Sequence, residues 1–376
     1  MLAYNSEISQ YKYMPLPWIS KSRYRSWRYC QYNFYLDELE HVAPKPIDQE
    51  MEHKGTIGTN MHLVFHEFFN QVKEQRLIDN FMRIGVEHNP KDSSLFYAFF
   101  ALCQDIIPKE ARGVVEYSKI LSNFCEFQVQ NWIYITENMV PTKKNYIKYW
   151  FPVRMEAFLR DPIREYYGTA DAIYRNPNFA NDKKPYIIMD YKTGHTPASV
   201  RKFQGMNPFS VSLPTSKLEE LHFYAWLVAE GKYISKGTLW YLMDWEECEG
   251  FRRRIKKNHI VLPPKVKPPL VESGTWKVGR KGVKYWREEF PDVKSYKDVI
   301  VAMVFLGDDD VYVASKKTGA RTMNNIHMYS DQLREHYAEH GMDESAYERK
   351  TNTYACDRCF QSATCSEREA REIMGL

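Results

Sequence analysis

Three cysteines near the end of the chain, in the segment CDRCFQSATC, constrain the fold more than any other feature. Cys356, Cys359 and Cys365 form a C-x2-C-x5-C pattern, and three thiols this close in a reducing compartment favour a metal centre over disulfides. A tetrahedral zinc site or an iron–sulfur cluster normally has four protein ligands. The adjacent residues offer no further cysteine or histidine, so the fourth ligand must come from a distant part of the chain.

The composition is that of an ordinary globular protein. The 376 residues are 44% hydrophobic and 27% charged, which suggests one large or two modest domains. A net charge of +4 is too small to identify a nucleic-acid partner by itself. No apolar run approaches the ~20 residues of a membrane span. The first residues lack the basic-then-apolar order of a signal peptide, so we expect a cytoplasmic protein without a membrane partner.

The hydrophobic pattern predicts an α/β core of helix, three strands, helix and strand. Helices are expected over 20–40, from about Thr59, through most of 77–148 and over 216–231; strands are expected over 149–160, 166–175, 185–194 and 236–245. Two regions stand out as additions to this core. One is a helical insertion over 70–148, and the other is a basic, proline-containing insertion over 246–325, which is either a solvated or a DNA-facing loop.

The segment IIMDYKTG poses the first chemical question. Asp190 and Lys192 are two residues apart, so in a strand both side chains lie on the same face. A salt bridge at a sheet edge is the simplest explanation. However, Asp171 on the preceding strand can bring a second carboxylate within reach of one cation, and His62 can add an imidazole. Mg²⁺ and Mn²⁺ prefer such oxygen-rich sites, in which Lys192 would orient or activate the attacking water.

Five segments together resemble the RecB-like branch of the PD-(D/E)XK nuclease superfamily, in particular its members with an iron–sulfur cluster. These include the CRISPR-adaptation exonucleases and the nuclease domains of AddB-type helicase–nucleases. The segments occur in the order of that family: SKSRYRSWRYCQYNFY, GTNMHLVFHEFF, GTADAIY, IIMDYKTG and the terminal C-x2-C-x5-C. The helix LEELHFYAWL matches its Q-x-x-x-Y element, with Tyr224 as the tyrosine and Glu220 where glutamine is usual.

The resemblance implies one nuclease domain over 1–376 with a restriction-endonuclease-like fold, a mixed central sheet flanked by helices. The nuclease core would occupy 150–245 and the cluster-binding segment 326–376. A 4Fe-4S cluster would staple the chain's ends through the cysteine of the 20–40 helix and the terminal three, namely Cys30, Cys356, Cys359 and Cys365. The catalytic cation, Mg²⁺ or Mn²⁺, would be held by His62, Asp171, Asp190 and the backbone carbonyl of Tyr191. Catalysis would involve Lys192 with Asp171 and Asp190, assisted by Glu220 and Tyr224.

The implied activity is that of a metal-dependent DNase, an exonuclease acting on single strands or frayed ends. Its partners would be DNA and, since the sequence has no Walker A loop, a separate helicase or a CRISPR or recombination protein. Arg23, Arg25 and Arg28 are expected to contact DNA phosphates. The alternative is a non-cleaving nucleic-acid-binding protein on a nuclease fold with a structural zinc or iron–sulfur site. Repair, recombination, CRISPR adaptation and viral DNA processing all remain open as pathways.

Other residues near these motifs have competing explanations. The H-E-x-x-H motif of zinc proteases would start at His66 and Glu67, but Asn70 stands where it needs histidine, so we exclude that class. Glu156 is expected to be a helper carboxylate near the cation rather than a ligand. Glu220 is expected either to pair with Lys192 or to help hold a second cation, unless it is a surface residue.

Overall fold

A computed structural model describes residues 18–41, 49–84, 89–161, 164–196, 218, 220–234, 283–285, 290–350, 356, 359, 361, 364–366 and 368–369. The helices are α1 (Lys21–Tyr29), α2 (Gln31–Phe34), α3 (Gln49–Glu74), α4 (Ile78–Arg83), α5 (Ser94–Ile106), α6 (Val115–Asn138), α7 (Lys143–Asn145), α8 (Phe179–Asp182), α9 (His222–Glu230) and α10 (Ala320–His340). The strands are β1 (Ile19–Ser20), β2 (Arg154–Asp161), β3 (Tyr166–Arg175), β4 (Tyr186–Lys192), β5 (Lys232–Ile234), β6 (Val283–Tyr285), β7 (Val299–Phe305) and β8 (Tyr312–Lys317). Within these ranges, no helix has the length and apolar character needed to cross a bilayer.

A mixed six-stranded sheet forms the centre of the fold. Its order is β1-β3-β4-β7-β8, and β2 also pairs with β3. β4 is antiparallel to β3 and parallel to β7. Every residue of β7 is buried, as is every residue of β4 except Lys192. Strands covered on both faces are continuous apolar runs, which explains the sequences VIVAMVF and YIIM.

One edge of β3 is divided between two strands. β2 covers the opposite edge along most of residues 166–173. On the divided edge, β1 pairs in parallel with Tyr166 and Tyr167, whereas β4 pairs antiparallel with residues 172–175. Residues 168–171 therefore face a gap between β1 and β4, and this gap is open to side chains from both layers of helices.

Two hydrophobic layers enclose the sheet. Helices α3, α5 and α6 pack on one face, where Ile187 and Met189 of β4 join an aromatic core that includes Phe65, Phe68, Phe69, Phe99, Phe124, Trp132 and Trp150. Helices α1, α9 and α10 pack on the other face, against Tyr186 and Ile188. The strict alternation along β4 follows from the period of two in a strand.

The structure corrects several predicted boundaries. The 20–40 helix is interrupted at Cys30, whose backbone is extended, and the helix expected from Thr59 begins at Gln49. The expected strand at 236–245 and the whole of the basic 246–282 segment lie outside the described residues. The assignment of the whole of 246–325 to an insertion is wrong, because β7 and β8 belong to the central sheet. A short, fully buried strand has no alternating pattern and cannot be separated from a helix or loop by periodicity alone.

Candidate metal and active site

Three carboxylates lie in one row across the middle of the sheet. The pairing of Met155 with Ala172, and of Ala172 with Met189, defines a row across β2, β3 and β4. Continuing the same register by one residue gives Glu156, Asp171 and Asp190 as the next row. Like charges directly across neighbouring strands repel each other, so this row is unfavourable unless positive charge is placed among its members.

His62 of α3 completes a compact group with two of these carboxylates. Its Nδ1 lies 3.6 Å from Glu156 Oε1 and 3.5 Å from Asp171 Oδ2. Within the described part of the chain, His62, Glu156 and Asp171 form the group whose ligand atoms all lie within 4.8 Å of one another. Glu156 also has a φ of 46°, a left-handed conformation that is uncommon for a residue other than glycine and tends to occur at functional sites. One nitrogen and several carboxylate oxygens are a suitable donor set for Mn²⁺ or Mg²⁺.

Protons partly neutralise the negative charge of this group. Burial disfavours a charged imidazole, but the neighbouring carboxylates of Glu156 and Asp171 outweigh it and raise the pKa of His62 to about 9. Burial and then the charge of Asp190 raise the pKa of Asp171 to about 7. Protons therefore supply positive charge that a bound cation would otherwise supply.

Asp190 lies between two lysines. Lys21 Nζ is 3.1 Å from Asp190 Oδ1, and the Lys192 ammonium is in ionic contact with Oδ2. Burial alone would raise the pKa of Asp190, but the charges of Lys21 and Lys192 hold it below its usual range. The Lys192 contact lies outside hydrogen-bonding geometry, so the buried Oδ2 atom has no hydrogen bond. Oδ2 therefore has lone pairs beyond its ion pair with Lys192, and a carboxylate oxygen beside the His62 group is a suitable cation ligand.

Lys21 reaches Asp190 because of the two-residue strand β1. Ser20 ends that strand and caps α1 by accepting a hydrogen bond from Arg23 N, so Lys21 is the first residue of the helix. The ammonium group also lies 5.1 Å from the centre of the Tyr224 ring on α9. Burial opposes its charge, but Asp190 raises the pKa of Lys21 above its usual range.

Tyr224 packs against Gly168 of β3, at the gap. A Cβ atom at Gly168 would lie 2.7 Å from Tyr224 Cε1, so the absence of a side chain at this position allows the ring to approach. Burial raises the pKa of Tyr224 to about 12, and the hydroxyl stays protonated at neutral pH. Glu220, one turn earlier, is buried and forms an ion pair with Arg25 at 4.0 Å. Burial raises the pKa of Glu220, while Arg25, Lys21 and Lys192 act in the opposite direction.

The side chain of Tyr191 points away from this chemistry. Its hydroxyl lies 2.8 Å from that of Tyr174 inside the core. Its backbone N–H donates to Asp171 Oδ2 at 2.8 Å and so fixes that carboxylate. The role of the Tyr191 carbonyl as a ligand stays a prediction. Glu67 accepts hydrogen bonds from Asn70 and Gln71 of its own helix, which agrees with the exclusion of a zinc-protease site.

The three arginines of α1 have different surroundings. Arg23 is buried, with its guanidinium bonded to Glu38 and to the carbonyl of Trp18, so its position favours a structural role rather than a phosphate contact. Arg25 is the most open of the three, with a side chain 60% exposed. Arg28 donates to Tyr24 Oη at 3.3 Å and lies over the ring of Tyr329.

The four cysteines expected to share a cluster come from both ends of the chain and lie near one another. The Cys359 thiol donates to Asn33 Oδ1 at 3.0 Å, and Cys30 Sγ accepts from Asn33 N at 3.4 Å. Burial raises the pKa of the Cys359 and Cys365 thiols, and the proximity of Cys30 and Cys356 raises both further. In the metal-free protein these groups are therefore neutral thiols, and a metal centre would have to displace their protons. The two other described cysteines, Cys103 and Cys125, are fully buried in the core.

Two residues of the site were missed or under-weighted in the sequence. Glu156 is one of the three residues of the compact donor group, whereas the sequence suggested only a helper carboxylate beside the cation. Its position across from Asp171 depends on strand register, which a single sequence gives only when the connecting turn is known. Lys21 carried no sequence signal, because its position depends on the pairing of the short β1 with β3.

A mixed sheet with a gap, a row of carboxylates at the gap and a lysine on the same face is the architecture of a metal-dependent nuclease. The PD-(D/E)XK nuclease superfamily matches residues 19–366, and the chain belongs to this superfamily. The prediction of the superfamily, and of a mixed sheet with flanking helices, is therefore confirmed. Membership implies a nuclease that uses a divalent cation and acts on DNA. No curated protein and no solved structure matches the chain.

Proposed function

We propose that the protein is a RecB-like deoxyribonuclease that digests single-stranded or frayed DNA ends and carries a 4Fe-4S cluster. The observation that carries the proposal is the row of Glu156, Asp171 and Asp190 at the gap in the sheet, with His62 3.5 Å from Asp171. Three neighbouring carboxylates, one buried and two largely buried, have little value for stability, since like charges repel and much of their hydration is lost. It has a clear value for holding a divalent cation against a phosphate.

The residues that would hold the cation are His62, Glu156, Asp171 and, through Oδ2, Asp190, together with the carbonyl of Tyr191. A cation bound there supplies a polarised phosphate and a water of lowered pKa. The N–H of Tyr191 and the strand backbones hold the carboxylates in place before substrate arrives. Such preorganisation is a large part of what an enzyme contributes to catalysis.

Lys192 would act on the water and on the developing charge. Its side chain is 37% exposed, so the ammonium group reaches the solvent side of the centre while it remains against Asp190. An ammonium group has three donors, and Asp190 uses only part of this capacity. The remaining donors can orient the attacking water and stabilise negative charge on the phosphate in the transition state.

Single-stranded DNA would reach the centre along the exposed side of α1. Arg25 is well exposed there, and Tyr29 is 51% exposed at the end of the same helix. Cationic side chains bind phosphates and exposed aromatic rings stack on bases, a combination typical of single-strand binding. Arg28 is retained as a phosphate contact and Arg23 is not, since Arg23 is buried.

The cluster would join the chain's two ends beside the nuclease core. A zinc ion holds its sulfur ligands at about 2.3 Å, which places these sulfurs within about 4 Å of one another. Among the described residues, the donor atoms of the His62 group lie within 4.8 Å of one another, whereas three cysteine sulfurs do not form such a group. The wider spacing favours a cubane with a structural role. Because its thiolates must stay reduced, we expect the protein in the cytoplasm.

The test of the nuclease proposal is a cleavage assay with Mg²⁺ or Mn²⁺ on end-labelled linear single strands and on single-stranded circles. The wild type should digest the linear DNA and leave the circles intact. Asp190→Ala should lose cleavage but keep most DNA binding, and Lys192→Ala should lose most cleavage but keep cation binding. Asp309→Ala is the matched control, because this carboxylate is 96% exposed and pairs with Lys119.

The outcomes separate the possible functions. Cleavage of circles would show an endonuclease. Binding without cleavage under any cation would favour the non-cleaving alternative, and normal turnover of Asp190→Ala would refute the proposed site. For the pathway we propose DNA repair, recombination, CRISPR adaptation or viral DNA processing, with a separate helicase or recombination partner; association with one of these machineries in a pull-down would distinguish them.

A further inference from the structure

Lys21 is a second lysine in the catalytic centre. Its ammonium group lies 3.1 Å from Asp190 Oδ1, on the opposite side of that carboxylate from Lys192. It comes from α1, whereas the proposed cation ligands and Lys192 come from α3 and strands β2 to β4. Nothing in the chemistry assigned above uses it.

An ion pair that only stabilised the fold would not require both lysines. Asp190 carries one negative charge, and Lys192 alone balances it. Lys21 also occupies an unfavourable place in its helix, since a positive charge in the first turn opposes the helix dipole. No acidic residue in the first turn of α1 offsets it. The position of Lys21 is therefore explained by its contact with Asp190 rather than by the helix to which it belongs.

The net charge of the catalytic centre indicates the functional role of Lys21. Deprotonated Glu156, Asp171 and Asp190 carry three negative charges. A divalent cation and Lys192 together bring three positive charges, so the centre is neutral without Lys21. Lys21 makes the centre positive by one charge, which further favours the approach of an anionic phosphodiester.

Lys21 also has the capacity and the access to bind a second anion. Its ammonium has three donors, of which Asp190 accepts one. Its side chain is 15% exposed, so it is held in place by its surroundings while part of it remains accessible to solvent. The Tyr224 ring, 5.1 Å away, supports the ammonium from another side.

We propose that Lys21 binds a phosphate oxygen of the DNA substrate in the catalytic centre. This inference rests on the proposed nuclease function and adds a substrate-contacting residue to it. Lys21 stays beside Asp190 and directs a remaining donor to one particular phosphodiester. The contact would favour the substrate over a neutral analogue at that single position.

The test combines a substitution at Lys21 with removal of the negative charge from one phosphate of the DNA. Binding of a single-stranded hexanucleotide is measured by fluorescence anisotropy with Ca²⁺ as the probe cation, and the oligonucleotide is checked to be intact afterwards. Each linkage in turn is replaced by an uncharged methylphosphonate. The proteins are the wild type, Lys21→Met, Lys21→Arg and the control Lys91→Met, which removes a lysine in an ion pair with Glu126, also at 3.1 Å.

We expect Lys21→Met to weaken binding on the order of tenfold, as for loss of a hydrogen bond to a charged group. At one linkage the methylphosphonate should weaken DNA binding by the wild type but cause no further loss of binding by Lys21→Met. This coupling identifies the contact in the same way as a double-mutant cycle. Lys21→Arg should retain most of the binding, and Lys91→Met should match the wild type. Melting curves verify that each variant is folded.

The proposal is overturned if the methylphosphonate at every linkage weakens DNA binding by the same factor in the wild type and in Lys21→Met. It is also overturned if Lys21→Met binds the unmodified DNA as tightly as the wild type. These results are independent of cleavage. A wild type that cuts DNA but shows no coupling refutes the role of Lys21 alone. A wild type that shows coupling but never cuts refutes the proposed nuclease activity alone.

Discussion

Binding of the divalent cation is expected to strengthen steeply as the pH rises. In the metal-free site, His62 and Asp171 bind protons at the atoms that would bind the cation. The pKa of His62 is raised to about 9, because Glu156 and Asp171 outweigh the opposing effect of burial, and burial and Asp190 raise that of Asp171 to about 7. Both groups must lose their protons before they can act as ligands.

The size of the effect follows from the number of protons displaced. Between pH 7 and pH 9 only His62 holds a proton, so affinity should rise about tenfold per pH unit. Below pH 7 Asp171 holds a second proton, and the rise should approach about a hundredfold per unit.

The same protons also stabilise the metal-free fold. For both groups the folded pKa lies above the ordinary value, 6.5 for His62 and 3.8 for Asp171. Their contribution is therefore fully present below the ordinary values and is lost as the pH rises through about 7 and about 9. Thermal melts with EDTA should show lower stability at pH 9 than at pH 6, and Mn²⁺ should reverse more of the loss at the higher pH.

Anaerobic calorimetric titration with Mn²⁺ from pH 6 to pH 8.5 measures both affinity and protons. Repeating it in buffers of different ionisation enthalpy counts the protons released on binding. His62→Gln should release one proton fewer and show a shallower dependence on pH. An affinity independent of pH, with no proton release, would refute the assignment of His62 and Asp171 as ligands.

Three further substitutions test other parts of the centre. Cys359→Ser should remove the brown colour of anaerobically purified protein and lower its melting temperature; a colourless wild type with stoichiometric zinc would contradict the cluster. Glu220→Gln should preserve activity and become more stable relative to the wild type as the pH rises from 5 to 8, because burial raises the pKa of this carboxyl despite Arg25; a constant difference in melting temperature would contradict this. Gly168→Ala should cost about 1–3 kcal/mol of stability in denaturant titrations, since the new Cβ would lie 2.7 Å from Tyr224 Cε1, and no loss would mean that the ring moves freely.

Sequence patterns were sufficient for the elements that carry most of the site. β3 and β4 were predicted at 166–175 and 185–194, close to their observed bounds, because turn-forming residues separate them and their apolar runs are rich in strand formers. The placement of Asp190 and Lys192 on one face needed only the alternation of a strand. His62 was recognised by its motif, and its contact with Asp171 required a helix packed on the sheet, which the α/β pattern implies.

The remainder depends on pairing between segments that are distant in sequence. Glu156 enters the donor group because β2 and β3 pair in one particular register, and a slip of one residue would move it to the other face. β7 was missed because a central parallel strand is apolar on both sides and lacks alternation. Lys21 was missed because only two paired residues, Ile19 and Ser20, fix its position.

The contact between Asp190 and Lys192 is both an ion pair and, in our proposal, part of the catalytic machinery. An exposed pair of this kind would be worth about 1 kcal/mol or less, which is too little to favour this motif in the centre of a sheet. Asp190 is instead buried, next to two other carboxylates, where apolar residues of similar size would often be as stable or more so. The clustered carboxylates therefore destabilise the metal-free protein, and a bound divalent cation would reduce this destabilisation. An ion pair placed for stability would lack this dependence, so the gain in melting temperature on adding Mn²⁺ should be large for the wild type and small for Asp190→Ala.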